Sequence, residues 1–157
     1  MKASHQGRSL TQFELRWARA ALEAMYPSGA CAALALGIGA LDIEGFLADA
    51  RSRAPAEAAF GLRVAIWIVA LAPLFILRRA RTIATIPQGD REVVLRALLR
   101  SPIYFVRQLV VFLKAMGGLL YGGAAPVRAM ILGGARPIVS GSRIVAVRRL
   151  HRVEHVA

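Results

Sequence analysis

The segment VAIWIVALAPLFIL, residues 64–77, is an unbroken run of fourteen uncharged residues held between Arg63 and the pair Arg78-Arg79. As a helix it extends roughly 21 Å, at about 1.5 Å per residue, against a hydrocarbon thickness of about 30 Å. Pro73 lies inside it. Two other apolar runs are weaker. Residues 30–41 are shorter, and residues 109–121 are cut by Lys114 and by Gly117-Gly118. All three runs fall short of a span, and runs of this length are more often core helices or interfacial segments. The expectation is of helices that hide against protein. A second reading stays open for 64–77: the run lies at a membrane surface, with its arginine heads reaching toward phosphates.

Length and charge narrow the choice. With 157 residues the chain reads as one domain with a tail, and 57% of it is hydrophobic, above the globular average of about 45–50%. Residues 1–60 balance their acids and bases, so the formal charge of +12 falls in residues 61–157, where the acids are Asp90, Glu92 and Glu154. A basic half suits nucleic acid, anionic lipid or an acidic protein partner. Nucleic acid is disfavoured, because Trp67, Phe75, Phe105 and Phe112 sit inside apolar runs and do not interleave with arginines as a stacking platform. Cys31 is the single cysteine and reads as a small buried hydrophobe. The opening MKASHQGRSL has no apolar core and no twin-arginine pair. The expected location is therefore cytoplasmic, with a peripheral position at the inner membrane in view.

Helix signals recur along the chain, and no alternating strand pattern persists through residue 125. Thr11 and Glu14 form a capping box, flanked by Leu10 and Leu15 as a hydrophobic staple. Phe13, Trp17, Ala20, Ala21 and Ala24 follow as an apolar stripe, and YPSGA ends the helix. A second helix is expected over 41–53, with Leu41, Phe46, Leu47 and Ala50 inward. Pro55 suits the first position of a third, running to about residue 80 and kinking at Pro73. Asp90 is placed to cap the next. The fold class expected is an all-α, irregular bundle of five to six helices over residues 9–123. Residues 124–157 read as a flexible, Gly/Pro-punctuated basic tail.

The segment 90–114 carries Arg96, Arg100, Arg107 and Lys114, which fall within about 40° of one another on a continuous helix. Leu95, Leu98, Val106, Leu109 and Leu113 fall opposite, an amphipathic pattern with a basic ridge. Ser101-Pro102 interrupts it. Ser suits an N-cap and Pro the first helical position, whereas Pro inside an unbroken helix costs about 3 kcal/mol. Two helices are expected, about 90–100 and 102–120, meeting at a bend that draws the two halves of the ridge together. A solvated face that keeps the bundle soluble is the plainer reading of the same residues.

Taken in order, the capping-box helix, YPSGA, DIEGFLADA, LRVAIWIVALAPLF and DREVVLRALLRSPIYFVRQLVVFLKAMGGLLYGG resemble subunit 3 of the gluconate 2-dehydrogenase type. The same order is similar to the helical segment before the flavin domain in long-chain alcohol oxidases of the glucose-methanol-choline family. The resemblance covers roughly residues 11–123 and rests on helix caps and apolar spacing. It implies a small helical accessory subunit that carries no cofactor and associates with a large FAD-dependent oxidoreductase subunit. Family members are often exported through a twin-arginine leader, which this sequence does not show. By position Arg100, Ser101, Arg107, Lys114 and Tyr121 match the family's polar and aromatic positions. With Arg96 from the ridge, they are the candidate interface or structural residues.

No catalytic, cofactor-binding or metal-binding residue is nominated. GIGALD begins a dinucleotide fingerprint but has Asp42 where the third glycine belongs. His151 and His155 stand one helical turn apart without a third ligand pattern. Asp42/Glu44 and Asp90/Glu92 are spaced to point to different sides of a helix and read as helix-start residues.

Overall fold

The computed structural model describes residues 9–29 and 36–134, with backbone alone for 132–134. Cys31, the His151/Glu154/His155 group and the remainder of the basic tail lie outside the described residues. The described residues form six α-helices: α1 (Gln12–Met25), α2 (Ile43–Arg53), α3 (Ala56–Ile76), α4 (Gln88–Leu99), α5 (Tyr104–Gly123) and α6 (Ala125–Gly134). Short 3-10 turns at Ile38–Ala40 and Ile83–Thr85 lead into α2 and α4, and no strand occurs among the described residues. The class is all-α, as the sequence implies.

Helix α3 is the hub, packing against α1, α4 and α5. Its buried side, Leu62, Ala65, Ile66, Val69, Ala70, Ala72 and Pro73, meets Ala18, Ala21 and Leu22 of α1, Val94 and Leu98 of α4, and Leu109, Val110 and Leu113 of α5 in one core cluster. Small residues on α1 and α3 let the backbones approach closely, and the larger aliphatic chains fill the space that remains.

The start of α1 follows the sequence. The Glu14 amide donates to Thr11 Oγ1 (3.3 Å), and the Thr11 amide donates to Glu14 Oε2 (2.7 Å). Leu10 is buried, and Leu15 packs on the core. The expected stripe is corrected at Phe13, which is exposed; Glu14 and Ala18 take the inward positions instead. Helix α2 is capped by Asp42, which accepts from the Gly45 amide at 2.9 Å. Its fully buried residues are Ile43 and Leu47.

The longer helices differ from expectation in instructive ways. Pro55 is the N-cap of α3, one position earlier than expected. Helix α3 ends at Ile76, and the Leu77 amide donates to the Pro73 carbonyl at 3.0 Å. Arg78 then turns the chain with φ of 52°, a left-handed conformation. Asp90 does not cap α4. Pro87 is the N-cap, and Asp90 in the first turn accepts from Arg79 Nη1 at 2.7 Å. The break at Ser101-Pro102 is real, but α5 begins two residues later, with Ile103 as its N-cap. Ser101 Oγ accepts from the Ile103 amide, forming the turn between the helices.

The glycines that interrupt the third apolar run do not interrupt the helix. Gly117 and Gly118 lie within α5. A Cβ on Gly117 would stand 2.7 Å from Leu22 Cδ2 and 2.8 Å from Tyr26 Cε2, and one on Gly118 would stand 3.1 Å from the Tyr26 oxygen. The pair makes room for the end of α1. The domain also extends past residue 123. Residues 125–134 form α6, which packs on α5 and buries Val127 completely.

The measure of length changes as well. Helix α3 has 21 residues and α5 has 20, and both are long and apolar enough to cross a membrane by length and composition. At about 1.5 Å per residue α3 extends roughly 32 Å. The uninterrupted apolar run understates it, because the helix also takes in residues 56–63.

Candidate functional surfaces

The nominated residues divide into two groups. Ser101, Arg107 and Tyr121 are tied to the fold. Arg107 Nη1 donates to the Ser101 carbonyl at 2.7 Å, while its guanidinium lies 5.7 Å from the Tyr104 ring centroid. This closes the α4–α5 bend. The Tyr121 hydroxyl donates to the Leu36 carbonyl, and its ring stacks on Tyr26 at 5.7 Å between centroids. The Tyr26 hydroxyl donates in turn to the Lys114 carbonyl at 2.7 Å, and burial pushes its acidity constant up. The two tyrosines fasten residues 36–41 and the end of α1 to α5.

Arg96, Arg100 and Lys114 are exposed and uncommitted among the described residues. Arg96 and Lys114 come together across the bend, lining one open depression of about 210 Å³ with Glu92, Ala24, Met25, Leu95, Leu99 and Val110. Arg100 sits at the C-cap of α4 and is not part of that depression. The basic ridge thus yields a pair of cations over an apolar floor, with one carboxylate at the rim. Such a surface suits a group that is acidic at one end and apolar at the other.

A polar cluster that sequence spacing does not reveal lies between α1 and α3. Glu14 is 2% exposed, and its carboxylate receives five donors. They are Arg63 Nε at 2.6 Å, Arg63 Nη2 at 2.8 Å, Trp67 Nε1 at 2.9 Å, the Thr11 amide at 2.7 Å and the Thr11 hydroxyl at 3.1 Å. Arg63 Nη2 also reaches the Ser9 carbonyl at 3.2 Å. The Arg63 guanidinium holds the carboxyl at about 2, well below its ordinary 4.5, against the opposing effect of burial. Arg63 is pushed up by the same contact. Every strong acceptor site of Glu14 is taken, so the cluster is a closed clamp that joins two helices and not a poised acid or base. The available signal was the capping box with Arg63 at the border of the apolar run, but the pairing spans 49 positions.

The third surface is the outer side of α3. Phe60, Trp67, Leu71, Leu74 and Phe75 are all exposed, Phe60 at 69% and Phe75 at 76%. At about 100° per residue they occupy one arc of about 100°. The Trp67 ring meets Trp17 edge-on at 5.1 Å, and Phe13, exposed on α1, lies 6.5 Å from Trp17. The sequence placed Trp67, Phe75 and Phe105 inside apolar runs, yet all three are exposed. A helix apolar on every side is buried all round only where neighbours cover every side, and among the described residues they do not.

Among the described residues no three His, Cys, Asp or Glu side chains stand together as a metal site. Comparison with family models, with curated proteins and with solved structures returns no match.

Proposed function

We propose that this chain is a non-catalytic accessory subunit that binds and supports a large FAD-dependent oxidoreductase of the glucose-methanol-choline type. In this reading the flavin belongs to the large subunit and the small chain supplies contact surface. The supporting observation is the depression between α1, α4 and α5. There Arg96 and Lys114, without partners among the described residues, flank the apolar floor of Leu95, Leu99 and Val110. Val93, Ile103, Tyr104 and Phe105, also exposed, add apolar area elsewhere on α4, the bend and α5. Apolar contact supplies the affinity of such an interface, and the two cations set its orientation. The position that fits is the cytoplasmic side of the inner membrane.

Co-expression with a glucose-methanol-choline-type flavoprotein encoded beside this chain tests the reading. A tag on the small chain should retain flavin absorbance in stoichiometric yield. Leu99→Asp combined with Lys114→Glu should reduce that yield at least tenfold while leaving helicity intact. Failure of the unaltered chain to retain any flavoprotein, with the chain alone monodisperse, refutes it. A second reading, a membrane-associated helical protein without an enzyme partner, is favoured by the outer side of α3.

A further inference from the structure

We infer that the outer face of α3 and the three arginines that follow it form a seat for an anionic lipid surface, with the helix lying in the interface and not crossing it. The inference is independent of the flavoprotein reading and concerns a different face of the molecule.

The arc holds Phe60, Val64, Trp67, Leu71, Leu74 and Phe75, and none of these offers a free hydrogen-bonding group, because the Trp67 N–H is already given to Glu14. From Phe60 to Phe75 the stripe runs roughly 22 Å along the helix. Protein–protein interfaces carry about one hydrogen bond per 100–200 Å². A stripe this long with no polar group to contribute is matched to acyl chains and not to a protein surface.

The chain leaves α3 through Arg78, Arg79 and Arg81, all exposed. Arg79 pairs with Asp90 at 2.7 Å, while Arg78 and Arg81 have no partner among the described residues. The one acid on this arc, Glu57, lies at the far end in the first turn of α3. The apolar stripe is thus basic at one end, the arrangement of interfacial segments whose cations meet lipid phosphates while their apolar face enters the acyl boundary. Arg78 holds a left-handed φ of 52°, a conformation that glycine adopts at less cost. An arginine there gives charge at the expense of backbone ease.

Packing excludes the transverse orientation in this fold. Helix α1 packs along α3 and is joined to it by the Glu14–Arg63 clamp. The outward side of α1 carries Gln12, Arg16, Arg19 and Glu23. If α3 crossed the hydrocarbon, the charges of Arg16, Arg19 and Glu23 would enter it too, at several kcal/mol each.

The test uses the purified full chain and phosphatidylcholine vesicles made with and without phosphatidylglycerol. The unaltered chain should sediment with the anionic vesicles, and brominated acyl chains should quench its tryptophan emission. Leu74→Ser with Phe75→Ser should weaken binding at least tenfold. Arg78→Gly with Arg81→Ser should weaken it about fivefold per arginine and flatten its salt dependence. Arg78→Gly alone should do so without loss of thermal stability, which separates lipid contact from folding. Equal binding to both vesicle types overturns the inference, as does insensitivity to the apolar pair. So does absence of binding to the anionic vesicles by the folded chain. Retention in the membrane pellet after alkaline carbonate extraction also overturns it, in favour of a span.

Discussion

Removing the Arg63 guanidinium would strand the Glu14 carboxylate between α1 and α3. The carboxyl sits at about 2 in the folded chain against an ordinary 4.5. At about 1.4 kcal/mol per unit, that difference corresponds to roughly 3 kcal/mol of stability carried by ionised Glu14. The folded value is the lower one. The contribution is therefore complete above about pH 4.5 and is lost as pH falls toward 2, where the carboxyl protonates in both states. Arg63→Ala removes the two shortest side-chain contacts and leaves Thr11 and Trp67 as donors. Breaking one side of such a buried pair costs about 3–5 kcal/mol. Urea unfolding of the wild type, Arg63→Ala, Glu14→Gln and the double variant, followed by helicity across the acid range, measures both effects. Glu14→Gln should lose the acid-linked part of the wild-type pH dependence, and the double variant should be more stable than the two single losses added together. A loss below about 1 kcal/mol for Arg63→Ala would refute the reasoning. Identical acid profiles for wild type and Glu14→Gln would do the same.

Three further substitutions probe the packing. Gly117→Ala should destabilise by about 1–3 kcal/mol despite the better helix propensity of alanine, because its Cβ meets Leu22 and Tyr26; chemical denaturation reads the sign directly. Arg78→Gly should raise stability by about 1 kcal/mol by relieving the left-handed conformation, seen as a higher Tm. Tyr121→Phe removes the hydroxyl bond to the Leu36 carbonyl and should cost about 1 kcal/mol, with faster amide exchange confined to residues 36–41.

What the sequence settled by itself is chemistry that acts within a turn of helix. Thr11 and Glu14 are three positions apart and close their capping box whatever else the chain does. Ser101-Pro102 breaks the basic run because proline lacks a donor and crowds the preceding turn. Helical spacing without strand alternation was enough for the all-α class. Tertiary structure decided everything that depends on which helix covers which face. Arg63 looked like the border of an apolar run and proved to be the partner of a carboxylate 49 positions away. Gly117 and Gly118 looked like a break and proved to be the room that Tyr26 occupies. Phe60, Trp67 and Phe75 had the composition of core residues, but among the described residues α1, α4 and α5 cover one side of α3, and the other side faces outward. Apolar character says that a side chain favours burial; only the placement of its neighbours says whether this chain provides it.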